Sequence, residues 1–440
     1  MAPITRRNAR VSGIPLHGPL PPATRLAVAP APLPTSIGGL PIAAPIVAQK
    51  ARRDNAATRL ARSWRFRLES RGIVRLKSYN TCYQNSVQQA FMHQPPFLEW
   101  ILTHNSHARE AERRFGGQRF SNGRVRRAVK SQYRKRNGKK NEDGEEKDDL
   151  GPILNPCKRN GKGCFACEMK GLAIRYWDKA NPPQNPIQFA NEVKRLAMLT
   201  WGRPDFPNRG QADANAFYDF CIDQMRACAP LTAAAAQAWR DECSALYDIL
   251  YSCTYTCTVC NTSRRPHGSP YDGGTNLHIN VEDNSGQAVP DIPAALDRYF
   301  HGDDVQVYCN TCNSTTRNRD TKELFIAPII LRLNVLIFTS WDEECEGMTK
   351  SDHATPSIPE LLDLRRYQVD QSQPLRYRLS SVIAHVGQTT NSGHYVSATR
   401  GPLINMRLDD DHRRQISPAQ LMGNPHAGRY ACYELTYIRG

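Results

Sequence analysis

The stretch that decides the fold is NTCYQNSV, residues 80–87, and its counterpart is SGHYVS, residues 392–397. The first contains Cys82 and the second contains His394. A thiol is a good nucleophile only as its thiolate, so it needs an imidazole nearby and a carboxylate that orients the imidazole. The acidic run 409–411 supplies Asp409, with Asp410 as second choice. The order Cys, His, Asp therefore predicts a nucleophilic triad, although a lone cysteine or histidine is more often structural.

Local sequence places the two halves of this triad on different elements. No glycine or proline follows Cys82 until Pro95, which favours a helix beginning near the cysteine. Backbone N–H groups at such an N-terminus favour a thiolate and can face an oxyanion. His394 lies in a glycine-containing turn between strand-like runs at 377–385 and 395–399. A strand-borne base facing a helix-borne thiol is a papain-like arrangement.

The same two stretches resemble the catalytic boxes of the ubiquitin-specific protease family. The first box is carried by Gly72, Asn80, Thr81, Cys82, Tyr83, Asn85, Ser86 and Gln89. The second is carried by residues 377–387 and the turn Gly393-His394-Tyr395. The resemblance implies an α+β, papain-like cysteine protease fold with thumb, palm and zinc-ribbon fingers. It also implies hydrolysis of (iso)peptide bonds at the C-terminus of ubiquitin by Cys82, His394 and Asp409.

One departure from the family concerns the oxyanion. The family usually has an asparagine five residues before the cysteine, where this chain has Lys77, and a glycine three before it, where this chain has Tyr79. Loss of one oxyanion donor can cost roughly a hundredfold in rate. An ammonium can donate hydrogen bonds in place of an amide, but on a flexible stem.

Two cysteine pairs with metal-binding spacing form a second signal. Cys257-x-x-Cys260 and Cys309-x-x-Cys312 are what a tetrahedral structural zinc needs. The segment between them is interpreted as strands and turns over 276–281 and 294–300. In the resembled family this region, 243–340 here, is the fingers, and residues 324–333 are similar to the strand that follows it. Four unrelated thiols are the alternative.

A third thiol group is formed by Cys157, Cys164 and Cys167. It resembles a second zinc site in the catalytic subunit of the SAGA coactivator's deubiquitinating module, where a histidine shortly before the first cysteine is the fourth ligand. No histidine lies between His107 and Cys157. Two interpretations stay open: a zinc site with a remote fourth ligand such as a distant histidine, or three free buried thiols.

The resemblance also implies residues that hold the substrate. The run 210–217 is similar to a family box that begins a helix, and it makes Asp213 and Gln211 candidates for contacts with the tail of ubiquitin. An acidic residue near a helix start is also an ordinary cap. Gly393 and Tyr395 are candidates for the walls of the channel that takes the tail's two glycines. Residues 430–437 resemble the closing strand of the family.

Composition and organisation bound the protein class. The chain has 440 residues and 14 cysteines, several of them in metal or nucleophile spacing, which favours reduced, intracellular use over disulfides. No window is apolar for long enough to span a membrane, so we expect no membrane association. Residues 71–440 are interpreted as one catalytic domain.

Residues 1–70 are interpreted as a disordered, basic tail rich in proline and alanine. An arginine-rich, acid-poor start also suits a mitochondrial presequence, but the proline cluster at 15–45 argues against the amphipathic helix that this would need. We therefore expect the protein in the nucleus and/or the cytoplasm.

Residues 105–149 are interpreted as a charged, disordered insertion in which a basic block precedes an acidic one. With the net charge of +16, the basic segments suggest weak, nonspecific contact with nucleic acid or chromatin. No motif for base recognition accompanies them. A solvated loop is the simpler interpretation.

The leading hypothesis is thus a thiol-dependent deubiquitinase with structural Zn²⁺, whose partners are ubiquitin and ubiquitinated proteins. One alternative is a ubiquitin-binding scaffold that Lys77 and Tyr79 have made weak or inactive. Another is a zinc-ribbon nucleic-acid binder, which only the charge supports. Ubiquitin-like modifiers, whose tails are similar, are further possible substrates.

Overall fold

The structure is a computed structural model that describes residues 70, 72–73, 80–104, 157, 163–177, 191–200, 206, 211–229, 233–265, 271–283, 285–302, 304–344, 346–353, 356–401, 404–422 and 430–440. The predicted tail 1–70, apart from Ser70, and the predicted insertion 105–149 lie outside this part of the chain. So do Lys77 and Tyr79.

A helical lobe holds most of the first half of the described chain. Its helices are α1 (Cys82–Met92), α2 (Pro95–Thr103), α3 (Phe165–Tyr176), α4 (Asn191–Thr200), α5 (Ala214–Ala227) and α6 (Ala233–Tyr247). Pro95 separates the first two, since proline is tolerated in the first turn of a helix but not in its interior. All eleven residues of α1 are buried, so this helix lies at the centre of the molecule.

A five-stranded antiparallel sheet forms the fingers. Its strands are β1 (Ile249–Cys257), β2 (Ser263–Arg264), β3 (Tyr271–Gly274), β5 (Asp304–Cys309) and β6 (Ser314–Ile326). They are ordered β2-β1-β6-β5, with β3 also paired to β1. Strands β1 and β5 both end on a cysteine that begins a metal-type knuckle, so the sheet brings the two knuckles to one end.

A ten-stranded sheet forms the third lobe, which we call the palm. It contains β4 (Leu277–Asn280), β7 (Ile330–Leu336), β8 (Phe338–Asp342), β9 (Gly347–Lys350), β10 (Leu361–Asp363), β11 (Arg376–Thr389), β12 (Ser392–Arg400), β13 (Asn405–Asp409), β14 (His412–Ile416) and β15 (Tyr430–Arg439). Its main order is β14-β13-β12-β11-β15-β7-β4. Only β4 and β7 of these neighbours run parallel.

The segment between the two knuckles corrects the sequence prediction. Residues 294–300, predicted as part of a strand-and-turn segment, lie in helix α7 (Ile292–His301). Asp291 caps this helix by accepting a hydrogen bond from the Ala294 N–H at 2.8 Å, and its apolar side chains repeat at helical spacing. Strand β4 is also not part of the fingers sheet, since it pairs with β7 in the palm. The remaining helix, α8 (Pro418–Met422), precedes the last strand.

The strand after the fingers is likewise divided. β6 ends at Ile326 and β7 begins at Ile330, so residues 324–333 pass from one sheet to the other. Pro328 lies at the break, which fits its inability to donate a ladder hydrogen bond.

The palm and the helical lobe meet through polar contacts on α1. Ser397 Oγ of β12 donates to Gln89 Oε1 at 2.7 Å, and Ser380 Oγ of β11 donates to the His93 carbonyl at 2.9 Å. Buried polar groups of this kind need partners, so these bonds fix the register of the helix on the sheet. None of the helices in the described chain is long and apolar enough to cross a membrane.

A fully buried arginine joins the palm to helix α5. Arg332 of β7 donates to Glu434 of β15 and to Asp219 of α5, both at 2.6 Å, and its guanidinium lies 3.7 Å from the centre of the Tyr218 ring. Burying a charge is costly unless it is paired, and here the guanidinium has two carboxylate partners.

Candidate active site and metal centres

Cys82 is the first residue of α1 and is almost fully buried. Thr81 occupies the N-cap position, and its carbonyl accepts the Asn85 N–H at 2.9 Å. The free N–H groups of the first turn therefore lie beside the thiol. Their partial positive charge favours a thiolate and suits a developing oxyanion.

His394 lies on β12 and faces both candidate partners. Its Nε2 is 2.7 Å from Asp409 Oδ1. Its ring also hydrogen-bonds with Cys82. Because Nε2 already bonds to Asp409, we assign the Cys82 contact to Nδ1. The hydrogen bond with Asp409, followed by that with Cys82, raises the pKa of His394 to about 10. The same bond with His394 lowers the pKa of Asp409. The geometry thus suits an imidazolium held between a thiolate and a carboxylate.

Asp410, the second choice for the orienting carboxylate, is used differently. Its backbone is in the left-handed region, with φ of 51°, and its Oδ1 accepts a hydrogen bond from Asn85 Nδ2 at 2.7 Å. Its carbonyl accepts from Gln89 Nε2 at 3.1 Å. Asp410 therefore fastens the β13–β14 turn to α1, while Asp409 faces the imidazole.

Gly393 is tightly enclosed beside His394. A Cβ added there would lie 2.2 Å from His385 Nε2 and 2.3 Å from the Val386 carbonyl, so no other residue fits without movement. Gln211 Nε2 donates to the Gly393 carbonyl at 3.0 Å. Two of the residues predicted to bind substrate, Gln211 and Gly393, are thus in direct contact across the helical lobe and the palm.

Tyr395 is buried between two other rings. Its ring centre is 4.8 Å from that of His385 and 5.4 Å from that of Tyr433. His385 was not among the predicted site residues, although it belongs to the box that the prediction used. Burial lowers the pKa of His385 to about 3, which favours a neutral ring, whereas the pKa of the neighbouring His394 is raised.

Asp213 caps helix α5. Its Oδ1 accepts the Ala216 N–H at 2.7 Å, and its Oδ2 accepts the Tyr433 hydroxyl. Desolvation raises the pKa of this carboxyl. Both oxygens have internal partners, so the ordinary capping role considered in the sequence analysis is present, and a contact with substrate would be additional.

The four knuckle cysteines meet at one end of the fingers. Their Sγ atoms all lie within 4.8 Å of one another; the Cys257–Cys312 pair is 3.8 Å apart and the Cys260–Cys309 pair 3.6 Å. A tetrahedron with Zn–S bonds of about 2.3 Å has edges of about 3.8 Å. Threonine hydroxyls lie beside two of the sulfurs, Thr316 at 3.2 Å from Cys257 and Thr262 at 3.3 Å from Cys260. The donor set and its spacing fit zinc.

The third thiol group has a histidine partner that the sequence analysis missed. His104, the residue after α2, lies with Cys157, Cys164 and Cys167, and all four donor atoms are within 4.8 Å of one another. Its Nε2 is 3.3 Å from Cys164 Sγ, close to the edge of about 3.5 Å that Zn–N and Zn–S bonds define. The group fits zinc better than three free thiols.

Distance along the chain hides the relation of His104 to the three cysteines. His104 precedes His107 and is separated from Cys157 by the charged stretch 105–149. The signal available in the sequence is a histidine near the end of the helical stretch that precedes residues 105–149.

A cysteine at a helix N-terminus, facing a histidine and an aspartate on adjacent strands of an antiparallel sheet, defines a papain-like cysteine protease. The fold is α+β with helical thumb, palm and fingers. Within that class the chain belongs to the ubiquitin carboxyl-terminal hydrolase family, whose sequence profile matches residues 72–437.

Individual relatives are distant. The chain is similar to ubiquitin carboxyl-terminal hydrolase 10 of Saccharomyces cerevisiae, with 25% identity over 39% of this chain and 21% of that protein. It is similar to ubiquitin carboxyl-terminal hydrolase 17-like protein B of Mus musculus, with 27% identity over 43% of this chain and 39% of that protein. These matches span only about a fifth to two fifths of the relatives' lengths.

The fold also resembles solved structures. In the SAGA Ubp8/Sgf11/Sus1/Sgf73 DUB module bound to ubiquitin aldehyde, the matching chain has a TM-score of 0.57 and 18% identity, covering 84% of this chain and 69% of that one. A second structure of the module gives a TM-score of 0.53 and 17% identity, covering 84% and 67%.

Proposed function

We propose that the protein is a thiol-dependent deubiquitinase that hydrolyses (iso)peptide bonds at the C-terminus of ubiquitin. The observation that carries this proposal is the 2.7 Å pair of His394 Nε2 and Asp409 Oδ1, whose imidazole contacts Cys82 at the start of α1. Membership of the family agrees with it, and so does the fold shared with a module whose solved structure holds ubiquitin aldehyde.

Acylation begins with attack of the Cys82 thiolate on the terminal carbonyl carbon of ubiquitin. The carbonyl oxygen becomes an oxyanion that backbone N–H groups at the start of α1 can stabilise. His394, protonated through its contacts with Asp409 and Cys82, gives the Nδ1 proton to the departing lysine amine. The C–N bond breaks and a thioester remains on Cys82.

In deacylation the same histidine acts as a general base instead of a general acid. Neutral His394 takes a proton from water, and the resulting hydroxide attacks the thioester carbonyl. Asp409 keeps the Nε2–H directed toward itself, so Nδ1 always faces the reacting centre. Cys82 leaves as thiolate and ubiquitin is released with a free carboxylate.

The channel for the ubiquitin tail lies where the thumb meets the palm. The Gln211–Gly393 hydrogen bond, the buried Tyr395 ring and the capped Asp213 all belong to this boundary. A narrow passage at Gly393 would admit residues without side chains, which fits the two terminal glycines of ubiquitin.

Zinc has a structural part in this proposal. The fingers tetrad Cys257, Cys260, Cys309 and Cys312 would hold one ion, and the His104, Cys157, Cys164 and Cys167 group a second. A zinc ion bound by four protein ligands leaves no open position and stabilises the fold. Every chemical step above uses side chains of the triad.

The direct test uses full-length ubiquitin with an electrophilic C-terminus. We expect covalent labelling of the wild-type chain and none of Cys82→Ala, with Cys432→Ala, a buried thiol of the palm, as the matched control that still labels. Ubiquitin binding without labelling of the wild type would support the scaffold alternative and contradict the proposed activity. The same probe made from a ubiquitin-like modifier defines the substrate class.

The departure at Lys77 is tested separately. Turnover of a ubiquitin C-terminal fluorogenic amide is compared for wild type and Lys77→Asn. If Lys77 weakens the oxyanion site, the substitution raises kcat by roughly tenfold to a hundredfold. An unchanged kcat would mean that the family asparagine is not needed in this chain.

A further inference from the structure

The His104 metal centre has a fifth potential donor. Cys228 follows helix α5 directly, at its C-cap position. Its thiol hydrogen-bonds with Cys164 and accepts the backbone N–H groups of Ala166 and Phe165. These contacts hold the Cys228 sulfur at the beginning of α3, the helix that Cys164 itself precedes.

Five donors compete for an ion that takes four. The mutually close set is His104, Cys157, Cys164 and Cys167, which already completes a tetrahedron. Cys164 contacts Cys157 and Cys167 of this set and also contacts Cys228. A zinc ion bound by the first four donors therefore leaves Cys228 as a free thiol in contact with a zinc-bound sulfur.

Exposure distinguishes Cys228 from the other four. His104, Cys157, Cys164 and Cys167 are at most 2% exposed, whereas Cys228 is partly exposed. Of these five residues Cys228 is therefore the one most open to a small oxidant. Free, accessible thiols are the ones oxidised first.

We propose that Cys228 is an oxidation site that controls this metal centre, and that a hydroperoxide converts the Cys164–Cys228 contact into a disulfide with loss of zinc. This oxidation is independent of the proposed hydrolysis, because it involves the metal ligands of the thumb and requires no ubiquitin substrate.

The chemistry balances with hydrogen peroxide as the oxidant. The Cys228 sulfur attacks one peroxide oxygen, the O–O bond breaks, and Cys228 becomes a sulfenic acid while one water is released. The Cys164 sulfur then leaves the metal and attacks the Cys228 sulfur. The S–S bond forms, the S–O bond breaks, and the departing hydroxide takes a proton from solvent to become a second water. Two thiols have lost two electrons to one peroxide.

Loss of Cys164 would leave the ion with three ligands, His104 among them, and so weaken its binding. His104 directly follows α2, and two residues separate the end of α1 from the start of α2. The metal centre and Cys82 therefore belong to one helical hairpin, so oxidation at Cys228 loosens the support of the catalytic helix.

The test uses the full chain carrying Cys82→Ala, which removes the other reactive thiol. Hydrogen peroxide is titrated, zinc release is followed with a chromophoric chelator, and disulfides are mapped by peptide mass spectrometry after differential alkylation. We expect release of one of two bound zinc ions together with a Cys164–Cys228 disulfide. Adding Cys228→Ser should retain the zinc until the peroxide concentration is about tenfold higher.

Cys243→Ser is the matched control, because Cys243 is a buried thiol of α6 outside the cluster. It should release zinc as the parent does. Zinc release at the same peroxide concentration in Cys228→Ser would overturn the proposal. So would a Cys228→Ser protein that purifies with one zinc fewer, since Cys228 would then be a ligand.

Folding of the variant does not limit the test. In the parent chain alone, zinc release without a Cys164–Cys228 disulfide contradicts the proposal, whatever happens to Cys228→Ser. Reversal by dithiothreitol with added zinc should restore the original metal content.

Discussion

At the scale of single residues, the site depends on which of two adjacent acids faces the imidazole. Asp409 ends β13 and lies opposite His412, while Asp410 begins the turn with a left-handed backbone. This change of direction sends the two carboxylates to different partners, His394 and Asn85. The proposed catalytic role of Asp409 follows from that turn.

Asp409→Asn should shift the alkaline limb of the pH profile. The pKa of His394 is raised from 6.5 to about 10, so the imidazolium persists through neutral pH and loses its proton as the pH approaches 10. Removing the carboxylate lowers this pKa, although the Cys82 contact remains. We expect kcat/KM to fall by roughly 10² to 10⁴-fold and its alkaline limb to move down by about one unit or more.

The measurement is kcat/KM for the fluorogenic ubiquitin amide between pH 5 and pH 10.5. Asp411→Asn is the matched control, because Asp411 is a neighbouring acid that forms an ion pair with the exposed His412 rather than with His394. An unshifted alkaline limb in Asp409→Asn would exclude Asp409 as the partner that sets the pKa of His394.

Gly393→Ala should displace the catalytic histidine. Its Cβ would lie 2.3 Å from the Val386 carbonyl, a backbone atom that cannot turn away. A misplacement of about 1 Å at His394 is expected to lower kcat/KM by roughly a hundredfold. In the control Gly274→Ala, the added Cβ would meet nothing closer than 3.8 Å, so activity should be unchanged. Equal activities would show that the β11–β12 turn adapts.

At the scale of elements, α1 is held between the lobes by polar side chains as well as by apolar packing. It is buried on all sides, and Gln89 bridges Ser397 of β12 and the Asp410 carbonyl. The buried Arg332 also connects the two lobes, because it joins β7 and β15 of the palm to α5 of the thumb. Both contacts align the thumb with the palm, where the triad is assembled.

Arg332→Met should destabilise the palm strongly. It would leave Glu434 buried without its cationic partner, a loss of about 3–5 kcal/mol in the free energy of unfolding. The double variant Arg332→Met with Glu434→Gln removes the unpaired charge and should recover part of this loss. Urea unfolding of the full chain measures both, and an equal loss in the single and double variants would contradict a charge-based cause.

At the scale of the whole molecule, two metal-type centres lie in different lobes. The fingers tetrad has two partly exposed sulfurs, Cys260 and Cys312, whereas the thumb set with His104 is buried throughout. The thumb set also joins α2, Cys157 and α3. The two centres should therefore contribute unequally to stability.

Zinc analysis by mass spectrometry should find about two equivalents per chain, and about one after either Cys312→Ser or Cys167→Ser. We expect Cys167→Ser to lower the thermal midpoint more, because its site lies in the core. Cys253→Ser, a fingers thiol outside the tetrad, should keep both ions. Full zinc content in Cys312→Ser would contradict the fingers site.

Sequence alone was sufficient for features coded by neighbouring residues. The runs at 80–87 and 392–397 predicted the fold class, and the α+β papain-like architecture with fingers is confirmed by the family match and the shared fold. The Cys-x-x-Cys spacings predicted both pairs of the fingers tetrad, because two ligands from one tight turn are a local property. Residues 294–300, which lie in helix α7, were wrongly predicted as strand and turn. A short apolar run fits both the helical and the strand repeat, and only the cap at Asp291 distinguishes them.

Only the tertiary structure decided the features that depend on distant parts of the chain. The place of His104 beside three cysteines, the hydrogen bond of Asp410 with Asn85, and the pairing of Arg332 with Glu434 each join residues that the sequence keeps apart. Spacing along the chain carries no information about them, because they arise where sheets, helices and turns pack. The sequence thus determined which chemical groups were available, and packing determined which of them meet.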